Sequence, residues 1–271
     1  MIPFVKMHGL GNDFVIVDDR DGALKLDHDL RVLLADRRRG VGCDQLLVLE
    51  KPINGSADVF MRIFNPDGSA AQACGNGTRC VAALVMDQMH REGVGVETVA
   101  GILASKRMPD GGVSVDMGEP RLNWDQIPLS REMDTLSLDL SWGPFSGPVG
   151  VNMGNPHCVF IVDDAEAVPL AEAGPVLEHD PLFPERANIE FISLNDDGSI
   201  RMRVWERGAG ITQACGSGAC AVIVAATRRG LVDRRARVHL DGGPLDMEWR
   251  EDGHVIMTGA ATYSFRGEWT Q

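Results

Sequence analysis

Met202 to Cys220 reads MRVWERGAGITQACGSGAC, and it matches Met61 to Arg79, MRIFNPDGSAAQACGNGTR, without a gap. A shift of 141 positions makes seven of the 19 residues identical: Met61 falls on Met202, Arg62 on Arg203, Gln72 on Gln213, Ala73 on Ala214, Cys74 on Cys215, Gly75 on Gly216 and Gly77 on Gly218. That density over an ungapped stretch marks an internal duplication. In each copy a strand-like run, VFMRIF or MRVW, leads through a loop to Cys-Gly-x-Gly. An Ala-, Val- and Leu-rich helical run follows, Cys80 to Met89 in one copy and Ala219 to Thr227 in the other. The pattern predicts a thiol at a helix N-terminus, where unpaired N–H groups and the positive end of the dipole favour thiolate over thiol. The glycines let a ligand approach the backbone closely. Two such thiols, one per half, suit opposite walls of a cleft.

The chain has 271 residues, long enough for two ordinary domains, and the repeat offset of about half that length agrees. A formal charge of -13, with only the short basic clusters Arg37-Arg38-Arg39 and Arg234-Arg235, argues against a nucleic-acid surface. No run approaches the roughly 18 apolar residues of a membrane span. Lys6, His8 and Asp13 interrupt the start before a signal-like apolar stretch can form, and the six cysteines show no dense disulfide framework. A cytoplasmic, reduced protein is expected.

Taken in order, PFVKMHGLGNDFVIVDD has apolar runs on both sides of the turn signal around Gly9 to Asn12. Its echo is Val151 to His157 leading into CVFIVDD, with Gly11-Asn12 on Gly154-Asn155 and VIVDD on FIVDD two residues out of register. Asp29 to Arg38 reads as a short amphipathic helix, capped by Asp27 or Asp29 and closed by Gly40. Gln45 precedes the strand LLVLE as Asn188 precedes the apolar run after it, so amides recur at equivalent places in both halves. VGVETVA, ILASKRM and GVSVDM alternate like strands, and a proline-spotted passage after Met117 holds the domain boundary. RARVHL, LDMEWR, HVIMTG and TYSFRGEW read as closing strands. The expected class is α+β: two pseudo-symmetric domains, each a strongly bent, mostly antiparallel sheet around one principal helix.

Two activated thiols on either side of one carbon suit inversion of a stereocentre. One thiolate removes a proton, and the opposing thiol delivers another to the other face. The carbanion-like transition state then needs fixed dipoles, which backbone N–H groups around Gly75-Asn76 and Gly216-Ser217 can supply to a carboxylate. Cys74-x5-Cys80 and Cys215-x4-Cys220 lack the C-x2-C spacing of zinc knuckles or thioredoxin-like sites, so no metal is expected. Cys43, Cys80, Cys158 and Cys220 read as structural.

These motifs, ACGNGTRC and WERGAGITQACGSGAC with GLGNDF, GCDQ, NPDGS, MGNPHCV and RANIEF, resemble those of the diaminopimelate epimerase family from Lys6 to near the C-terminus. The resemblance implies a cofactor-independent, two-base interconversion of LL- and meso-diaminopimelate, on the route to lysine and peptidoglycan. It implies Cys74 and Cys215 as the acid/base pair, with His157 and Glu206 orienting or tuning the thiols. Substrate contacts carried over by position are Asn12, Gln45, Asn65, Gly75-Asn76, Asn155, Asn188, Glu206-Arg207 and Gly216-Ser217. Arg207 suits the distal carboxylate of the substrate, while amide oxygens and Glu206 suit an ammonium group. The resemblance further implies domains of 1–117 plus 262–271 and of 118–261. It also implies a homodimer, although Phe265 stands where the family often has Tyr at the dimer contact. Three other readings stay open: a proline racemase-like or hydroxyproline epimerase-like enzyme, an amino-acid-binding module that retains the cleft without catalysis, and a structural thiol or zinc protein.

Overall fold

A computed structural model describes residues 1–71 and 74–270; Gln72 and Ala73 of the first repeat lie outside the described residues. The chain divides into two compact units, Met1–Val115 with the segment from Gly259 onward, and Asp116–Thr258. Among the described residues no helix is long and apolar enough to cross a membrane.

The first unit runs β1 (Ile2–Gly9), β2 (Asn12–Asp18), α1 (His28–Ala35), β3 (Gln45–Glu50), β4 (Val59–Phe64), β5 (Ala70–Ala71), α2 (Gly75–Met89), β6 (Gly93–Thr98), β7 (Gly101–Arg107) and β8 (Val113–Asp116). The second runs β9 (Ser141–Trp142), β10 (Phe145–Ser146), β11 (Val149–Asn152), β12 (Pro156–Ile161), α3 (Leu170–Glu178), β13 (Asn188–Leu194), β14 (Ile200–Glu206), β15 (Gly210–Ile211), α4 (Gly216–Arg228), β16 (Arg235–Leu240), β17 (Gly243–Trp249) and β18 (Val255–Gly259). The last strand, β19 (Thr262–Trp269), pairs antiparallel with β1 and so belongs to the first unit.

Strand pairing repeats step for step. In the first unit β1–β2, β3–β4, β4–β5, β6–β7 and β7–β8 are antiparallel, while β2–β3 and β4–β6 are parallel. In the second, β11–β12, β13–β14, β14–β15, β16–β17 and β17–β18 are antiparallel, while β12–β13 and β14–β16 are parallel. Phe14 lies opposite Gln45 as His157 lies opposite Asn188. That register aligns Asn12 with Asn155, and the likeness of VIVDD to FIVDD is displaced from it by two residues.

Each unit is organised around one helix. α2 is buried from Asn76 to Met86, and α4 from Gly218 to Ala226. Helices apolar on every side are stable only inside a core, which the bent sheets provide. Cys80 and Cys220 are among these core side chains, and Cys43 and Cys158 are buried elsewhere. In the second unit Phe160 of β12 stacks on Phe191 of β13 at 4.9 Å.

Three local readings need correction. The principal helices start at Gly75 and Gly216, immediately after the cysteines, because the cysteines themselves cap them. α1 stops at Ala35 rather than reaching Arg38, since the Asp36 carboxylate accepts from the N–H groups of Arg38 and Arg39 at 2.8 and 2.9 Å and competes with helical bonding. α3 was not expected at all, for it has no side-chain cap and carries Pro175 inside.

Candidate active site

In the first unit Cys74 occupies the N-cap of α2 with extended backbone, φ -152° and ψ 102°, and its Sγ accepts from the Gly77 N–H at 3.3 Å. A thiol thus stands where Ser, Thr, Asp or Asn is usual. A Cβ on Gly77 would lie 3.3 Å from that sulfur, so the glycine gives the sulfur its room. Around it the amides form a directed chain. The Arg79 guanidinium, fully buried, donates to Asn76 Oδ1 at 2.9 Å, Asn76 Nδ2 donates to Asn12 Oδ1 at 3.2 Å, and Asn12 Nδ2 donates to Asp44 at 3.0 Å. Arg37 clamps Asp44 and Asp13, both at 2.6 Å, and the Lys6 ammonium also reaches Asp13. Burial pushes the Asp13 carboxyl up, but bonds from Arg37 and Lys6 outweigh it and hold the group well below the usual carboxylate range. Gln45 donates to Asn65 at 3.2 Å, and Asn65 to Ser69 at 3.1 Å.

The second unit repeats the device in a drier setting. Cys215 caps α4, with φ -116° and ψ 108°, accepts from the Gly218 N–H at 3.4 Å and lies 3.6 Å from Ser217 Oγ; it is 4% exposed. Asn188 is held between Pro156 O, to which it donates at 3.0 Å, and the Arg207 N–H, from which it accepts at 3.0 Å. Glu178 fixes the same loop by accepting from Trp205 Nε1 at 2.7 Å and the Gly208 N–H at 2.9 Å. The Arg207 guanidinium itself is exposed and donates to Glu185 O at 3.0 Å. Thr212 donates its hydroxyl to Glu206. His157 and Glu190 are fully buried against each other, Nδ1 to Oε1 at 2.6 Å, and His157 Nε2 lies 2.9 Å from Asn155 Oδ1.

The electrostatics at Cys215 overturn one expectation. Burial, then the charges of Glu206 and Glu190, push the thiol well above its ordinary value, and the contacts from Ser217 and Gly218 oppose this without prevailing. A helix N-terminus alone favours thiolate; dehydration beside two carboxyl groups wins. Glu206 is itself pushed up, by burial, with partial relief from Thr212 and Cys215.

The candidate residues therefore gather into two groups. Asn12, Asn76 and, through Gly77, Cys74 share one neighbourhood of the first unit, with Gln45 and Asn65 paired to each other. Asn155 and His157, Asn188 and Arg207, Glu206, and Cys215 with Gly216 and Ser217 line the second. Asp44, Arg79, Glu178, Glu190 and Thr212 were assigned nothing by sequence reading. Asp44 and Glu190 sit inside the quoted motifs GCDQ and RANIEF, and Arg79 and Glu190 are charged residues inside apolar runs, the signal that marks them.

A hydroxyproline epimerase from Agrobacterium vitis has the same fold, with a TM-score of 0.72 at 17% identity over 98% of this chain and 90% of that one. Sequence comparison is narrower. The family model for diaminopimelate epimerase matches residues 4–123 and 149–264, and the chain belongs to that family and is an isomerase. A diaminopimelate epimerase of Rhodospirillum centenum is 57% identical over 98% of this chain and 91% of its own length, and one of Erythrobacter litoralis is 52% identical over 98% and 96%.

Proposed function

We propose that the enzyme interconverts LL- and meso-2,6-diaminopimelate by a two-thiol acid/base mechanism that needs no cofactor, in the cytoplasmic supply of lysine and peptidoglycan precursors. The observation that carries the reading is the duplicated capping thiol, with burial and then Glu206 pushing Cys215 toward its protonated form. In one direction Cys74 as thiolate takes the α-proton and Cys215 delivers its S–H proton to the opposite face, leaving Cys74 as thiol and Cys215 as thiolate. The reverse direction exchanges the roles. Each positioned acid or base contributes roughly 10² to 10⁴ in rate. The first-turn N–H groups at Gly75-Asn76 and Gly216-Ser217 hold the α-carboxylate as charge develops. Asn12, Gln45, Asn65, Asn155 and Asn188 hold the amino and carboxylate groups, and Arg207 takes the distal carboxylate. His157 and Glu206 set the state of the second thiol. The working form in this reading is a homodimer built on the exposed β19 face.

The test is incubation with LL-diaminopimelate in D₂O under reducing conditions, following α-deuterium and the meso isomer, with Cys74→Ala and Cys215→Ala alongside. Exchange and inversion that vanish in both variants support the mechanism. Inversion that persists in either variant, or no exchange in folded, reduced parent protein, refutes it.

A further inference from the structure

Glu190 has no place in the mechanism above, yet it is the most confined acid in the second unit. It is fully buried, its Oε1 meets His157 Nδ1 at 2.6 Å, and its Oε2 has no hydrogen-bond partner among the described residues. A Cβ on Gly218 would lie 2.9 Å from Glu190 Oε1 and 3.2 Å from Cys215 Sγ, so the carboxyl group lies directly beneath the first turn of α4. The titratable groups near it are His157 and Cys158 from β12, Cys215 at the cap of α4 and Glu206 from the end of β14; among the described residues its one ion-pair partner is His157.

A buried carboxylate with no cation but an imidazole is tolerable only when the two together are neutral. Neutrality means two protons on the pair. Either both ring nitrogens carry hydrogen and Glu190 is ionised, or Glu190 is protonated and donates to Nδ1. The alternatives differ by one proton moved along the 2.6 Å contact. In both, Nε2 carries a hydrogen, which it gives to Asn155 Oδ1 at 2.9 Å. With its carbonyl so engaged, Asn155 turns its NH₂ away from the ring.

We propose that Glu190 is a positioning residue that acts through His157 to lock the Asn155 amide with NH₂ outward, so that this position selects a carboxylate oxygen of the substrate rather than an ammonium group. The assignment of Asn155 to the substrate rests on the function proposed above; the locked amide does not. Without Glu190, His157 is free to carry its single hydrogen on Nδ1 and to accept from Asn155, which would then present its carbonyl.

Two arms test this. The first is the ¹⁵N spectrum of His157 in the parent protein, where Nε2 should appear as a protonated nitrogen between pH 6 and 8 with or without substrate. An unprotonated Nε2 overturns the proposal, and this arm needs neither a variant nor turnover, so it stands if diaminopimelate proves not to be the substrate. The second arm is steady-state kinetics with LL-diaminopimelate for Glu190→Met, Asn155→Ala and the double variant. Glu190→Met should raise KM about tenfold with kcat changed less than about threefold, as loss of one oriented contact made equally in ground and transition states requires. In the Asn155→Ala background the same change should add less than about twofold, because residues acting through one another are not additive. Losses that multiply, or a KM left unchanged, would overturn the lock. Glu190→Gln should rescue to within about threefold, since its NH₂ can donate to Nδ1 and leave its carbonyl in the unpartnered position, which is the cheaper orphan.

Discussion

Gly218 and Gly77 are equivalent in the duplication, and a methyl group added to each separates the demands of folding from those of the reactive sulfur. At Gly218 an alanine Cβ would lie 2.7 Å from Met202 Cε, 2.9 Å from Glu190 Oε1 and 3.2 Å from Cys215 Sγ. Carbon atoms settle at about 3.5–4.0 Å, so roughly 1 Å must be found. Met202 can swing aside, but Glu190 cannot without lengthening its contact with His157. Overpacking of this kind costs about 1–3 kcal/mol, and replacing glycine within a helix returns about 0.5–1 kcal/mol. Gly218→Ala should therefore lose about 0.5–2 kcal/mol, a fall in Tm of about 1–8 °C. At Gly77 the nearest atoms are Leu47 Cδ1 at 3.1 Å and Cys74 Sγ at 3.3 Å, shifts of a few tenths of an ångström. Gly77→Ala should melt within about 1 kcal/mol of the parent. Both methyl groups press on a sulfur, and a displacement of that size should lower turnover at least about tenfold in each variant. Differential scanning calorimetry with the D₂O exchange assay reads both quantities. A Gly77→Ala protein that melts below Gly218→Ala, or either variant at full activity, would refute the reasoning.

Glu206→Gln removes a charge that helps hold Cys215 as thiol, so the pH midpoint for alkylation of Cys215 by iodoacetamide, followed by peptide mass spectrometry, should move down; an unchanged midpoint counts against it. Asp13, whose folded pKa is depressed, contributes stability that is present above its unfolded value of about 3.9 and is lost as pH falls toward the folded one. Asp13→Asn should cost about 1–3 kcal/mol at pH 7 and flatten the acid limb of a denaturation series between pH 4 and 2. Gly174→Ala would place a Cβ 2.3 Å from Trp205 Cδ2, loosening the Glu178 clamp on the loop that carries Arg207, and should raise KM more than it lowers kcat. Phe265, 53% exposed and edge-on to Phe4 at 5.9 Å, should be needed for the proposed dimer, so light scattering should give a dimer mass for the parent and a monomer mass for Phe265→Asp.

Much of the architecture was legible because duplication writes it twice. The repeated Cys-Gly-x-Gly located both principal helices, and the recurrent amides located most candidate ligands. α3 was hidden because Pro175 and an uncapped start remove the marks by which a helix is read. Glu190 and Arg79 are marked in the sequence, but their roles, and that of Glu178, were not legible, for a different reason. Their meaning lies in partners that are distant in sequence, His157 for Glu190 and Ala260 for Arg79. The upward push on the Cys215 thiol was not legible, because sequence displays the helix dipole but not the dehydration and the two carboxyl groups that oppose it.

The pairing of β1 with β19 ties together two strands separated along the chain by the rest of the first unit and the whole of the second. Ile2 waits for Trp269, and His8 for Thr262. At about 5–20 residues per second, roughly 10–50 s pass between the emergence of the two strands. During that interval the second unit is still being made, while β1 shows an open edge able to recruit strands of other nascent chains. β18 ends at Gly259 and β19 begins at Thr262, so the two units become complete almost together, and the risk carried by the open β1 edge lasts until then.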